Sequence, residues 1–310
     1  MPTSSSPATL AGVVPIIPIP FHADESIDEV SLRRTVDWVA AHGLGGMGLP
    51  AYGSEFYKLS EAERDRVVEV AVEVCAGRIP VVAQANHGSA RGAVELARRY
   101  AEMGADIIAF AIPRQFASTD EDLMRYCGAV ADAVDRPILI QDFNPGGPTI
   151  GAPFIQTLHR HHGNFRYAKL EEPLIVDKLI SIRDAVGDDV GILEGWGGYY
   201  MMEAIPEGIA GIMPGVPFSD LLDVIFQARR RGDDERAYDL FGAVLPMISF
   251  TLQDMEVFHQ VEKRIAVRRG LFDAAHVRAI TWTPSDRVCE HIEFLIDQLI
   301  RVLRSAGLEP

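Results

Sequence analysis

The sequence is short of cysteine and of basic residues, and both shortages exclude classes of protein. Its three cysteines lie far apart without metal-ligand spacing, so we expect reduced thiols packed in helices of a cytoplasmic protein. The 29 lysines and arginines stand against 44 acidic residues, which gives a formal net charge of −15. This charge argues against nucleic acid and anionic membrane surfaces as partners, because both attract basic proteins.

Long apolar runs are also lacking, and none in the sequence reaches the length that spans a bilayer. Residues 1–10 have neither the basic nor the apolar segment of a signal peptide, so they are predicted to form a disordered tail. His159, His161 and His162 have no carboxylate at ligand spacing. The glycine-rich segment 43–48 follows a predicted helix and precedes a strand, the reverse of a dinucleotide site. We therefore predict neither a metal nor a cofactor.

The sequence does contain a regular alternation of short apolar runs and longer amphipathic segments. Each run is almost continuously apolar, which is typical of parallel strands covered on both faces. The eight runs span residues 13–19, 47–49, 79–84, 107–112, 137–141, 166–170, 190–193 and 209–213. Eight strand–helix repeats predict an α/β fold, a (β/α)8 TIM barrel over residues 11–218.

Capping signals set the predicted helix ends. Ser60 with Glu63, and Thr119 with Asp122, are spaced as capping boxes that open helices. Three glycines fall where helices should stop in a left-handed residue: Gly43, Gly104 and Gly187. From residue 219 to residue 310 only helical periodicity continues. We interpret this segment as a C-terminal helical region, with a last helix opened by Thr283-Pro284, and expect it to contribute nothing to the barrel mouth.

Lys169 is the most informative residue for function. It lies near the end of the sixth predicted strand, and Glu171 projects to the same side. A buried ammonium is costly unless it is paired or deprotonated for chemistry. In barrels of this kind the chemistry takes place at the carboxyl ends of the strands, where a neutral lysine amine can attack a ketone. The alternative is a purely structural Lys169–Glu171 ion pair.

Several segments together resemble the dihydrodipicolinate synthase/N-acetylneuraminate lyase superfamily of Schiff-base barrels. The matching segments are Gly12-Val13-Val14-Pro15 through Pro20-Phe21, Ala51-Tyr52-Gly53-Ser54-Glu55, Tyr167-Ala168-Lys169 and Gly208-Ile209-Ala210-Gly211-Ile212-Met213. The loop at 51–55 replaces the usual Gly-Thr-Thr-Gly-Glu. Gln141 takes the place of a tyrosine that relays protons in the family's synthases and lyases. Since glutamine cannot titrate, lysine-pathway synthesis and sialic acid cleavage fit this chain poorly.

The motifs are most similar to the branch that contains L-2-keto-3-deoxyarabonate dehydratase. The most specific shared features are Gln141-Asp142 at the end of strand five and Lys-x-Glu-x-Pro from Lys169 to Pro173. The other shared segments are Ser54-Glu55, Glu194-Gly195 and Gly211-Ile212-Met213-Pro214. The resemblance implies that Lys169 forms an imine with a 2-keto-3-deoxy sugar acid. Glu171 would move protons while the C4 hydroxyl leaves.

The resemblance also implies a set of substrate-binding residues. The Ser54 hydroxyl and the N–H groups of Gly53 and Ser54 would hold the substrate carboxylate. Tyr52 would supply a hydroxyl donor, and Gln141 would donate to or accept from the substrate. Gly195 would let a ligand approach the backbone, and Met213 would line the site.

Three alternatives stay open at this point. The first is an aldolase that releases pyruvate, and the second is a condensing enzyme like dihydrodipicolinate synthase. The third is a non-catalytic sugar-acid binder in which Lys169 is only ion-paired. The resemblance also implies a homotetramer built as a dimer of dimers, with a small 2-keto acid as the other partner.

Overall fold

The computed structural model describes residues 9–115 and 118–310. Eight parallel strands form one sheet in the order β1-β8-β7-β6-β5-β4-β3-β2. The strands are β1 (Gly12–Val13), β2 (Met47–Leu49), β3 (Val81–Gln84), β4 (Ile107–Ala111), β5 (Ile138–Asp142), β6 (Phe165–Leu170), β7 (Gly191–Glu194) and β8 (Gly211–Ile212).

Helices follow the strands and continue after the last one. They are α1 (Glu29–Ala41), α2 (Glu61–Cys75), α3 (Ala90–Met103), α4 (Asp120–Ala131), α5 (Ala152–His161), α6 (Ile175–Val186), α7 (Met201–Ala204), α8 (Ser219–Arg230), α9 (Asp234–Thr251), α10 (Met255–Arg268) and α11 (Asp286–Ser305). None of them, within the two described ranges, is both long and apolar enough to cross a membrane.

The sheet closes on itself beyond the end of β1. Ile16 bridges both Gly48 of β2 and Gly215 after β8. The N–H of Ile17 donates to the carbonyl of Gly48 at 2.9 Å, and the N–H of Gly48 donates to the carbonyl of Pro15 at 2.9 Å. The predicted (β/α)8 barrel is therefore confirmed.

The first strand is shorter than predicted. The sequence indicates a strand over 13–19, whereas the regular ladder of β1 covers only Gly12–Val13. Pro15, Pro18 and Pro20 explain the difference, because proline has no N–H to donate to a neighbouring strand. The segment after β1 pairs through isolated bridges instead.

The predicted helix starts are confirmed in detail. Ser60 and Glu63 form a reciprocal capping box at α2, and Thr119 and Asp122 form another at α4. The helix stops at Gly43, Gly104 and Gly187 also agree with the structure, since all three have positive φ angles just after α1, α3 and α6. The last helix begins slightly later than predicted, with Ser285 as its N-cap.

Helix α8 belongs to the barrel rather than to the C-terminal addition. A Cβ placed on Gly12 of β1 would lie 3.8 Å from Nε2 of Gln227 and 3.9 Å from Oδ1 of Asp223, both on α8. Helix α8 therefore covers the first strand as the eighth barrel helix. The predicted boundary at residue 219 falls between β8 and α8; we use the name C-terminal addition for the helices that follow α8, which are α9, α10 and α11.

The predicted tail lies outside the described residues except for its last two positions. Leu10 is buried, and its N–H donates to the hydroxyl of Tyr167 at 3.0 Å, so this last residue of the predicted tail packs against the barrel. Cys75 and Cys127 are free and buried in α2 and α4, and Cys289 is free and half-buried in α11.

Side chains fill the barrel interior below the carboxyl ends of the strands. This buried group contains Leu10, Val14, Ile16, Ala51, Val82, Ile107, Ala109, Leu139, Tyr167, Leu193 and Met213. A second and larger cluster packs the helices onto the outside of the sheet. These side chains fill the space between the strands, and a cavity opens above them at the barrel mouth, where the carboxyl ends of the strands lie.

Candidate active site

Lys169 lies at the carboxyl end of β6 and points into the barrel mouth. It pairs in register with Gln141 of β5 and Leu193 of β7, and only 4% of it is exposed. Its Nζ atom is 3.0 Å from Oε1 of Glu171, which follows the end of the strand. The structure thus places the predicted lysine and carboxylate in direct contact, in a nearly dry environment.

Gln141 completes a short chain of hydrogen bonds with this pair. Its Nε2 atom donates to Oε2 of Glu171 at 2.7 Å. Among the described residues its Oε1 atom is buried without a hydrogen-bond partner. A buried acceptor without a donor is costly, so this oxygen is suited to accept a hydrogen bond from a ligand. A hydroxyl group on the substrate would supply that donor.

Gly195 leaves room for the lysine and the glutamate, which is a different reason for glycine from the one predicted. A Cβ at this position would lie 2.5 Å from Cε of Lys169 and 2.4 Å from Cγ of Glu171. Both distances are much shorter than a van der Waals contact between carbon atoms. Gly195 therefore permits the close packing of Lys169 and Glu171 as well as lining the cavity.

Substituting Gly195 with alanine is expected to lower kcat by roughly 10²-fold, because displacing reactive groups by about 1 Å has this effect. The steady-state kinetics of the variant would measure the change. Gly163→Ala is the matched control, since an added Cβ there meets no heavy atom within 4 Å. A Gly195→Ala enzyme as fast as the control would contradict this account of the packing.

Tyr52 and Gly53 line the cavity from the turn after β2, the 3-10 helix Tyr52–Ser54. The Tyr52 ring packs 5.3 Å from the ring of Phe143, measured between centroids. Burial, together with the negative charge of Glu171, raises the pKa of Tyr52. Its hydroxyl therefore keeps its proton and is available as a hydrogen-bond donor.

Ser54 does not have the predicted place in the site. Its hydroxyl donates to the carbonyl of Ile17 at 2.6 Å, and its N–H donates to the carbonyl of Ala51 at 3.0 Å. Both donors are thus used inside the protein, and the side chain is fully buried. We correct the prediction accordingly: Ser54 holds the turn against the segment after β1, which leaves Gly53 and Tyr52 on the cavity wall.

Glu194, at the end of β7, supports the cavity wall in a way that the sequence analysis did not assign to it. Its carboxylate accepts from the N–H groups of Trp196 at 3.0 Å and Gly198 at 2.8 Å. Burial raises the pKa of Glu194 to about 7, although these N–H groups oppose the shift. The carboxyl group fixes the loop that carries Gly195 and Trp196. A glutamate followed by Gly-Trp-Gly-Gly was the available signal, since such a loop needs an acceptor for its N–H groups.

The C-terminal addition forms the roof of the site, contrary to our expectation. The cavity has a volume of about 410 Å³, and the turn from Thr251 to Met255 lines it together with Phe258 of α10. A Cβ on Gly53 would lie 3.2 Å from Cε1 of Phe258, so this glycine lets the roof approach the mouth. Met213, as predicted, is on the cavity wall.

A buried group of charges fastens the roof to the barrel. Glu55, directly after the Tyr52–Ser54 turn, forms ion pairs with Lys58 at 3.0 Å and with Lys263 of α10. Lys58 also pairs with Glu256 at 2.8 Å. Burial lowers the pKa of Lys263 to about 8, while Glu55 opposes the shift. Breaking such a buried network by removing one partner typically costs about 3–5 kcal/mol.

The three neighbouring histidines are far from these residues. His162 contacts Asp132 through Nδ1 at 2.9 Å, and Nδ1 of His159 lies 3.1 Å from the carbonyl of Phe165. In the described part of the chain, no group of three or more His, Cys, Asp or Glu residues is arranged to hold a metal ion.

Comparison with known proteins agrees with the barrel fold. A model of the Dihydrodipicolinate synthetase family matches residues 9–285. L-2-keto-3-deoxyarabonate dehydratase of Azospirillum brasilense is 29% identical over 252 residues, which are 80% of this chain and 81% of that protein. A 4-hydroxy-tetrahydrodipicolinate synthase of Acidiphilium cryptum is 37% identical over 126 residues, only 41% of this chain and 43% of the synthase.

Solved structures extend the agreement over almost the whole chain. Dihydrodipicolinate synthase from Rhodopseudomonas palustris superposes with a TM-score of 0.87 at 26% identity, and the match covers 94% of this chain and 99% of that one. A 4-hydroxy-tetrahydrodipicolinate synthase from Methylacidiphilum fumariolicum SolV has a TM-score of 0.88 at 20% identity, which supports the fold alone. The family model spans every barrel strand and includes Lys169, and on this basis the chain belongs to the dihydrodipicolinate synthetase family.

Proposed function

We propose that this lyase-family chain is a Schiff-base dehydratase that acts on a 2-keto-3-deoxy sugar acid. The observation that carries the proposal is the contact between Lys169 and Glu171 beside Gln141, in the cavity at the barrel mouth. The name of the Azospirillum brasilense relative supports the choice of a dehydratase.

The reaction would begin with Lys169. Its neutral amine attacks C2 of the substrate, water leaves, and a protonated imine forms. Glu171, at 3.0 Å, is close enough to take the proton that the ammonium must lose. The turn that begins at Tyr52 and Gly53 lines the cavity, and the N–H groups at the start of this 3-10 helix, which have no partner within the helix, would hold the substrate carboxylate.

The imine then makes the C3 protons acidic, because it accepts the electron pair that their loss releases. Glu171 is placed to take a C3 proton and to return a proton to the C4 hydroxyl as the C4–O bond breaks. Gln141 cannot titrate, but it holds Glu171 and presents a free oxygen to the substrate. Water leaves, and hydrolysis of the unsaturated imine frees Lys169.

An aldolase or a condensing enzyme is the second candidate, because the same imine also permits cleavage or formation of the C3–C4 bond. The hydroxyl of Tyr52 favours it, since a protonated phenol near Glu171 could pass a proton to or from the C4 oxygen. Product analysis separates the two functions. A single turnover of 2-keto-3-deoxyarabonate, followed by mass spectrometry, should show loss of water; release of pyruvate would favour the aldolase.

A sugar-acid binder without catalysis is the third candidate, with Lys169 held permanently in its ion pair. No covalent adduct with any 2-keto acid would form in that case. Appearance of any product at a rate above the spontaneous reaction would exclude this candidate.

We also propose that the chain assembles as a homotetramer, a dimer of dimers. Leu174, at the start of α6, supports association with further copies because 78% of this large apolar side chain is exposed, and Ile180 on the same helix is 40% exposed. Sedimentation at micromolar concentration would test the proposal. A mass near the 34.0 kDa of one chain would contradict it.

A further inference from the structure

The outer half of the cavity is apolar, and we propose that it selects 2-keto-3-deoxy acids whose chain beyond C4 carries an alkyl or aryl group rather than a polyol. The inference rests on the imine chemistry of the proposed function and revises its substrate: the favoured acid shares C1 to C4 with a 2-keto-3-deoxy sugar acid but lacks the hydroxyl groups beyond C4. The reacting carbons of the substrate remain at Lys169, and the selection acts on the part of the substrate that points toward the α9–α10 turn.

Polar groups are concentrated at the inner end of the cavity. Lys169, Glu171, Gln141 and Tyr52 all line it there, around the position where the substrate's keto group must lie. These groups are sufficient to pair with the carboxylate, the keto oxygen and one hydroxyl group of the substrate. Any part of a substrate that extends further outward lies beyond hydrogen-bonding distance of these groups.

The outer wall comes from three separate segments and is mostly apolar. Phe143 follows β5, Trp196 follows β7, and the third segment is the roof with Leu252, Met255 and Phe258. Trp196 is fixed in place by two contacts. Its backbone N–H donates to the carboxylate of Glu194, and its ring lies 6.0 Å from the ring of Tyr200, measured between centroids. The wall is therefore a positioned surface for an apolar group.

The polar side chains of the roof already bond to their own backbone. Thr251 and Gln253 donate to carbonyls near the end of α9 at 2.9 Å and 3.0 Å. Asp254 caps α10 by accepting from the N–H of Glu256 at 2.8 Å. The oxygens that remain free on Gln253 and Asp254 could accept from a polyol, but Leu252, Met255 and Phe258 offer its hydroxyl groups no partner, and each hydroxyl group left unpaired costs free energy.

The size of the cavity also favours a substrate with an apolar group beyond C4. At about 30 Å³ for each water, its volume of about 410 Å³ corresponds to roughly fourteen waters. A five-carbon sugar acid has only about ten heavy atoms, which, being bonded to one another, need less space than separate waters. The space left beyond such an acid is the part that the apolar residues surround.

Two matched substrates test the proposal: 2-keto-4-hydroxybutanoates with either a phenyl or a hydroxymethyl group on C4. We expect kcat/KM to be about 10- to 100-fold higher for the phenyl acid, which is the usual effect of burying an apolar group of this size. Equal or higher kcat/KM for the hydroxymethyl acid would overturn the proposal.

A near-isosteric variant locates the preference in the roof. Met255→Gln keeps the length of the side chain but adds polar atoms, so it should lower kcat/KM for the phenyl acid by about 10-fold and change the value for the hydroxymethyl acid little. Val267→Gln, at a position of α10 that is 37% exposed and outside the cavity lining, is the control and should change neither value. An unchanged phenyl preference in Met255→Gln would contradict the assignment of the roof.

Trapping of pyruvate under borohydride, on the same preparation, separates this inference from the proposed function. An adduct on Lys169 together with a preference for the hydroxymethyl acid, or with turnover of neither acid, overturns the apolar substrate class and leaves the imine chemistry standing. Absence of any adduct overturns both.

Discussion

Replacing Lys169 with alanine is expected to abolish covalent trapping of 2-keto acids and to lower turnover by at least about 10⁴-fold, because no other group can form the imine. Lys169 is the lysine that lines the cavity, within the described residues. Intact mass spectrometry after borohydride reduction in the presence of pyruvate measures the effect. The unchanged enzyme should gain one ligand mass for each chain.

Lys178→Ala is the matched control for this experiment. Lys178 is also a partly buried lysine paired with a glutamate, but it lies on α6 and pairs with Glu172 away from the cavity lining. Its replacement should leave the adduct intact. An adduct that persists in Lys169→Ala, or one that maps to another lysine, would refute the proposed mechanism.

Replacing Glu171 with glutamine should lower turnover by about 10²–10⁴-fold while imine formation stays measurable. Glutamine keeps the shape of the side chain but cannot carry protons. Gln141 can adapt to it by turning its amide, since its Oε1 atom is free of other partners among the described residues. Single-turnover kinetics would measure the chemical step, and borohydride trapping would measure the imine separately.

Glu172→Gln controls for the loss of a neighbouring negative charge, because Glu172 pairs with Lys178 rather than with Lys169. We expect this variant to keep most of its turnover. If Glu171 served only as the ion-pair partner of Lys169, turnover of Glu171→Gln would fall little as well. Near-normal dehydration by Glu171→Gln would contradict the proton-carrying role of Glu171 and make Tyr52 the next candidate.

The barrel and the contact between Lys169 and Glu171 could be predicted because the signals for them are local. Apolar runs mark buried strands, and reciprocal caps such as Ser60 with Glu63 mark helix starts through contacts three residues apart. Lys169 and Glu171 are two positions apart at a strand end, so extended geometry alone puts them on one side. Gln141 could be placed beside them because the carboxyl ends of parallel strands meet at one edge.

The roof and the role of Ser54 could not be predicted in this way. Whether the Ser54 hydroxyl faces a ligand depends on the carbonyl of Ile17, which lies 37 positions away. The contact of Phe258 with Gly53 and the ion pair of Lys263 with Glu55 join segments about 200 residues apart. No periodicity or capping signal reports contacts of this kind.

By itself, then, the sequence determined the closed barrel, the strand that carries Lys169 and the partner of that lysine, because these depend on interactions between residues close in the chain or at equivalent strand ends. The tertiary structure alone decided which helices cover the mouth, why Gly195 must be glycine and which polar atoms stay free for a ligand. These properties depend on which distant side chains fill the same space, and that is settled only when the helices pack onto the barrel.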